Sequence, residues 1–201
     1  MMDFNILLHA LTSYFVIIDP IGTAIVFHAL TDGGNRRYAL RMAIRAVVIS
    51  TIITLLFGFF GEQILTSLGI SIDSLRVAGG LLLFYTAFNM ITSQHQEKGS
   101  VNLEIDISVY PLSIPMIAGP GCLTLTILLF ADRPVPEQTT ALVTAVLLTY
   151  LTTFICMRIA SHLHRLIGHT GNDILRRLLG VILAALAIQF IADGIRQLAA
   201  G

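Results

Sequence analysis

A chain of 201 residues that is 55% hydrophobic and 12% charged, with a mean hydropathy of +0.83, carries too little charge to cover a water-facing surface around a core, which excludes the soluble globular classes. Its twelve Lys and Arg balance its twelve Asp and Glu. No basic patch interleaved with aromatic residues points to a nucleic-acid partner, so the expected surroundings are the lipid bilayer.

Six apolar stretches follow one another at about 4–30, 42–60, 74–92, 107–130, 139–157 and 174–192, most of them near the ~20 residues that cross ~30 Å of hydrocarbon. Met1 to Leu8 lacks the basic start of a cleavable signal, so the first stretch is expected to remain as a membrane helix. At ~40 Å it is long for one crossing and should tilt or break. Ile18-Asp19-Pro20-Ile21-Gly22 supplies the break, because Pro20 removes a backbone donor and Asp19 is a natural cap for a half-helix that begins with proline. Asp32-Gly33-Gly34-Asn35 and Asp132-Arg133-Pro134 are short turn-formers that leave no room for a soluble domain. Thr92 to Asp106 is a polar linker. The fourth stretch is interrupted in its turn by Pro111, Pro115 and Gly119-Pro120-Gly121. Between the fifth and sixth stretches a loop is expected to carry His162, His164, Arg165 and His169 as a basic interfacial cluster; residues at i and i+2 share no helix face, and no Cys or carboxylate completes a metal site.

The two interruptions lie one hundred residues apart, and the same offset relates 73–91 to 173–191. Asp73/Asp173, Leu75/Leu175, Arg76/Arg176, Gly80/Gly180, Leu83/Leu183, Ala87/Ala187 and Ile91/Ile191 are identical. From Arg76 onward these steps trace one stripe of a 3.6-residue helix, a packing face common to both halves. The chain therefore reads as one all-α transmembrane domain, 1–201, built from a repeat at 1–95, a linker at 96–106 and a repeat at 107–201. Three spans per repeat force the second copy upside down, giving two inverted three-helix repeats with broken first and fourth helices. Arg36, Arg37, Arg41, Arg45, Lys98, Arg158, Arg165, Arg176 and Arg177 fall on one side and only Arg76, Arg133 and Arg196 on the other, which places the basic loops in the cytoplasm and both termini outside.

Paired interruptions in inverted halves point to a binding site at the membrane midplane. Half-helices starting at Pro20 and Pro120 would aim their N-termini, each worth about half a positive charge, toward the centre, where free N–H groups could cradle a carboxylate. Asp19 adds a negative charge whose repeat partner is Gly119, so the pocket offers both signs to a zwitterion. The candidate substrate-binding residues are Asp19, Pro20, Ile21, Gly22 and Thr23 in the first break and Pro115, Gly119, Pro120 and Gly121 in the second. Hydroxyls of Ser13, Ser113 and Thr124 complete the lining. Asn89 and Gln189 occupy equivalent span ends and are expected to reach the interface. The bland alternative is that Asp19 only caps its own half-helix.

Asp19-Pro20-Ile21-Gly22, the run Tyr110-Pro111-Leu112-Ser113-Ile114-Pro115-Met116-Ile117-Ala118-Gly119-Pro120, and Leu178-Leu179-Gly180 through Phe190-Ile191-Ala192-Asp193-Gly194-Ile195 together resemble the MarC family, within the lysine-exporter-like membrane proteins. The resemblance covers nearly the whole chain. It implies a multi-pass protein of the bacterial inner membrane, with members linked to transport of glycine, alanine and related small neutral amino acids. It departs from the family's first motif at Thr23 and Ile25, where Asn and Pro are usual, so ligand or selectivity can differ.

The expected function is secondary transport of a small solute of the glycine, alanine and serine class. The alternative is a channel, or a stress or assembly factor without a transported amino acid. A thiol-disulfide carrier would need a cysteine pair related by the repeat, whereas Cys122 matches Gly22 and Cys156 matches Leu56, so both are expected to be packing residues. No nucleotide-binding motif or hydrolase pattern appears, so no enzyme and no cofactor are expected. A homo-oligomer is left open.

Overall fold

Helix is the regular structure that lipid permits an open chain, since every backbone N–H and C=O must find its partner within the segment. The computed structural model describes residues 4–31, 35–92, 112–113, 117–131 and 136–200, and its elements are α1 (Phe4–Ile18), α2 (Pro20–Thr31), α3 (Arg36–Ser67), α4 (Ile72–Thr92), α5 (Pro120–Ala131), α6 (Pro136–Arg158) and α7 (Ala160–Ala200). Five segments are long and apolar enough to cross a membrane: Phe4–His28, which contains the first break, Arg36–Ser67, Ile72–Thr92, Pro136–Arg158 and Arg177–Ala199. The shorter apolar α5 follows the second break. The polar linker at 96–106 lies outside the described residues, as does Pro115.

Large apolar residues are not confined to the interior, and small and hydroxyl residues share the core with Tyr14, Leu83, Leu142 and Tyr150. Phe59, Phe60, Phe88, Leu151, Ile155 and Val181 are exposed, whereas Ala10, Ala46, Ala87, Ala145 and Ala187 are buried together with Ser50, Thr54 and Thr126. Large side chains can face outward because hydrocarbon is as apolar as they are, and small residues are favoured inside because close packing holds helices together there.

The most extensive interface joins α4 to α7, and it is made by the duplicated stripe. A Cβ on Gly80 would come within 2.6 Å of Ile191 Cγ1 and 2.8 Å of the Ala187 carbonyl, while one on Gly180 would meet Ile91 Cγ1 at 2.9 Å and the Ala87 carbonyl at 3.2 Å. Each glycine thus lies against the repeat equivalents of the residues that face the other. Such reciprocity is the signature of a two-fold axis. The pairs 80 with 187 and 191, 77 with 194, and 76 with 197 run in opposite directions along the two helices, so equivalent helices are antiparallel, as inversion requires. At one end Arg76 pairs with Asp73 (3.4 Å) and donates to Gln197 Oε1 (2.7 Å). Around this axis the half-helices are exchanged: α2 packs on α6 and α7, and α5 packs on α3 and α4.

The repeats differ at the join between their second and third spans. α3 ends where Gly69 takes φ +70°, with Ile70 N–H donating to the Leu65 carbonyl at 2.9 Å and Gly69 N–H to that of Thr66 at 3.0 Å, a left-handed stop that glycine adopts without steric cost. The equivalent residue is His169, and α7 runs through it. The loop expected to hold His162, His164 and His169 is therefore helical, and the start of the sixth apolar stretch at 174 lies inside α7. The chain turns earlier, at Ile159.

The contact distances order two substitutions. Gly80→Ala should destabilise the protein more than Gly180→Ala, because its new methyl meets a backbone carbonyl 0.4 Å closer (2.8 against 3.2 Å) and backbone cannot rotate away. Thermal unfolding of both variants in mild detergent, followed by circular dichroism, checks the order.

Candidate functional site

At the first break Asp19 adopts φ +45°, the positive-φ non-glycine residue among those described. Left-handed backbone costs most L-residues about 1–2 kcal/mol, and Asp is among the few that visit it. The helix ladder is rebuilt around it. Asp19 N–H still donates to the Phe15 carbonyl (3.0 Å), and the Asp19 carbonyl accepts from Thr23 N–H (2.9 Å). Gly22 N–H, which in a continuous helix would donate to Ile18, donates to Asp19 Oδ1 (3.0 Å). The Ile18 carbonyl accepts from Thr23 Oγ1 instead (2.9 Å). Asp19 is thus the cap of α2, Pro20 is its first residue, and Thr23 serves the carbonyl that the break sets loose. A Cβ on Gly22 would strike the Asp19 carboxylate, so glycine is needed for the cap to close.

The second break is built differently. Ala118 N–H donates to the Ser113 carbonyl (2.8 Å), a π-type turn of the kind that often marks functional positions. Gly119 then stands at the cap position, buried, with its carbonyl accepting from Leu123 N–H (3.0 Å). Ser113 Oγ donates across to the Ala46 carbonyl of α3 (3.1 Å). One half-helix therefore starts with a carboxylate on its amide and the other starts with no side chain at its cap.

The remaining residues expected at the site divide into two groups. Ser13, Pro20 and Thr23 are buried and Ile21 is half-buried along the first broken span. Gly121 and Thr124 face α4: a Cβ on Gly121 would strike Leu83, and Thr124 fills the space that Gly79 leaves. Pro120 is exposed. Gln189 donates to the Asp193 carboxylate at 2.9 and 3.0 Å on an exposed face.

Between the broken spans lies a cluster of hydroxyls that the repeat pattern does not reveal. Tyr14 OH donates to Thr126 Oγ1 (2.9 Å), which donates to the Cys122 carbonyl (2.7 Å). Cys122 Sγ lies 3.8 Å from Tyr150 OH, which in turn is 2.6 Å from Thr54 Oγ1. All five residues are buried, and they tie α1, α5, α6 and α3 together. Cys122 and Cys156 are both free thiols.

Most hydroxyls in these helices donate to the carbonyl four residues back, as Thr51, Thr149 and Thr153 do, which satisfies them locally. Ser50 is fully buried and its Oγ has no partner among the described residues. The acceptor it would use, the Ala46 carbonyl, is the one that Ser113 occupies. Four-back bonding is thus displaced by a bond from the second break.

With this geometry in view, the match to known proteins is informative. The family model for MarC family integral membrane proteins matches residues 4–199. The chain belongs to the MarC family. It is 34% identical over 198 residues to a UPF0056 membrane protein of Methanocaldococcus jannaschii, covering 95% of this chain and 87% of that one. It is 31% identical to the UPF0056 membrane protein YvbG of Bacillus subtilis, covering 97% and 96%. It is also 31% identical to the UPF0056 inner membrane protein YhgN of Escherichia coli, covering 96% and 98%. No solved structure matches it. The MarC assignment agrees with the helical bundle and its several membrane-crossing segments.

Ser50→Ala removes an unpartnered buried hydroxyl and should raise thermal stability in detergent, by about 1 kcal/mol or slightly more. Tyr150→Phe takes away the partner of Thr54 and should lower it by a similar amount. Paired melting curves check both signs.

Proposed function

We propose that this MarC protein is a secondary transporter of small neutral amino acids or similar small solutes across the bacterial inner membrane, with its ligand held where α2 and α5 begin. The observation that carries this reading is the unequal pair of helix breaks. Asp19 keeps an ionisable carboxylate inside an apolar bundle, an expensive feature that usually marks a solute or ion path. Gly119, its equivalent, brings no acceptor to the first turn of α5, so the dipole of that half-helix is left for an anionic group. A zwitterion spans the two, its ammonium group toward Asp19 and its carboxylate toward the start of α5. The Thr23 hydroxyl, which donates to the Ile18 carbonyl, keeps its oxygen as an acceptor on the Asp19 side. Antiparallel repeats around a central axis would allow the same site to open to either side in turn. The excess of Lys and Arg at one end supports cytoplasmic basic loops and periplasmic termini.

The second reading, a channel or an assembly factor without a transported amino acid, is favoured by one observation: the Asp19 carboxylate already serves as the cap of α2. Asp19→Asn separates the two, because an amide oxygen still caps Gly22 while the charge is lost. Under the transport reading, uptake of labelled glycine, alanine or serine into liposomes containing the purified protein falls at least tenfold in Asp19→Asn, and the melting temperature stays within a few degrees. If no solute moves faster than in empty liposomes, and Asp19→Asn shifts only the melting temperature, the carboxylate is a cap and the transport reading fails.

Orientation has its own test. A membrane-impermeant thiol reagent should label a cysteine placed at Gly201 in spheroplasts, in a Cys122→Ala/Cys156→Ala background, and should leave one placed at Arg37 unlabelled until the membrane is permeabilised. The opposite pattern reverses the topology.

A further inference from the structure

A cavity of about 380 Å³ opens at one end of the bundle, between the end of α2, the start of α3 and the junction of α6 with α7. Arg36, Arg158, His28 and His162 line it with Thr31 and Ser161, and none of its described lining residues is acidic. Its deeper wall is apolar, formed by Phe27, Leu40 and Met157 among others. Each helix end contributes a field of its own. His28 and Arg158 sit in the last turns of α2 and α6, where the carbonyl ends offset part of any positive charge they carry. Arg36 opens α3 and adds its charge to a positive helix end.

The repeat symmetry shows that this space is particular to one end. The equivalents of Arg158 and Ser161 are Gly58 and Gly61. There the bundle is closed: a Cβ on Gly58 would meet the Phe130 ring at 3.2 Å, and one on Gly61 would meet Ile127 Cγ1 at 2.5 Å. Phe130 also packs edge-on against Phe59 at 5.4 Å. Where the first repeat lets α5 close onto α3 through glycines, the second places a guanidinium and a hydroxyl, and α2 does not close over them. The equivalents of His28, Arg36 and His162 are Leu128, Pro136 and Glu62, so the cationic lining is absent from the related end.

We propose that this cavity binds the phosphate of an anionic phospholipid, with Arg36 and Arg158 as its ligands. Guanidinium groups match phosphate oxygens in bidentate geometry. Basic pockets between the ends of membrane helices are suited to acidic headgroups. The apolar wall beneath the charges favours a lipid, which brings a glycerol and acyl chains, over a free anion.

The test uses full-length protein, stripped of lipid in mild detergent, to which phosphatidylglycerol, phosphatidylcholine or inorganic phosphate is added. Thermal midpoint and lipid retention in native mass spectrometry are read. Phosphatidylglycerol should raise the midpoint and stay bound, and phosphatidylcholine should do neither. Arg36→Gln/Arg158→Gln should weaken the phosphatidylglycerol effect at least tenfold, about what losing one charge-assisted contact implies. Arg196→Gln should leave it unchanged. If the double variant does not fold, Arg36→Gln alone, in the exposed first turn of α3, carries the test. An undiminished lipid effect in the folded variant overturns the proposal, as does an equal response to inorganic phosphate or phosphatidylcholine. No arm depends on solute flux, so the result stands apart from the transport reading.

Discussion

Helices in hydrocarbon gain little by hiding a leucine, because the lipid is as apolar as the protein interior. Association then depends on how closely two backbones can approach. Here that approach is made by Gly80 against Ala187 and by Gly180 against Ala87. The other contacts are arranged around it. α5 reaches α4 because Gly79 admits Thr124 and Gly121 admits Leu83, and α2 lies on α7 on the other side of the axis. Many large side chains, Phe59, Phe60, Phe88 and Leu151 among them, are left to face acyl chains, while Tyr14, Leu83, Leu142 and Tyr150 fill the spaces between the helices.

Those glycines could be read from the sequence because they recur one hundred residues apart at helical spacing, and because the partner of each is the repeat equivalent of its own neighbour. The first break was legible for a different reason: Asp before Pro inside an apolar run has few conformations open to it. The role of Thr23 was less visible. Its hydroxyl donates to the Ile18 carbonyl, a need that arises only once Asp19 has turned left-handed and taken Gly22 N–H. The length of α7 was hidden because a helix stop is signalled by the glycine at position 69, and the lack of one at His169 gives no positive mark.

The hydroxyl cluster was out of reach of any local pattern. Tyr14 and Thr126 are 112 residues apart, and Thr54 and Tyr150 are 96 apart. Neither pair is duplicated, since Ile114, Val26, Phe154 and Ser50 stand at the equivalent positions. Polar contacts that break the repeat symmetry appear only when the two halves are folded together. Their burial still had a sequence trace: tyrosine and threonine in the middle of apolar spans need partners there, and membrane helices rarely carry such groups without them.

The exchange of half-helices between repeats bears on how the chain is made. The ribosome delivers α1 to α4 to the bilayer first, with Gly79 and Gly80 facing a neighbour that has not been synthesised. The surface on α3 that receives α5 is bare for the same interval. Each half supplies surfaces on which the other settles. Until the inverted counterpart is inserted, those faces of the leading half are open to lipid. The late helix α7, which meets both α4 and α2, completes the assembly.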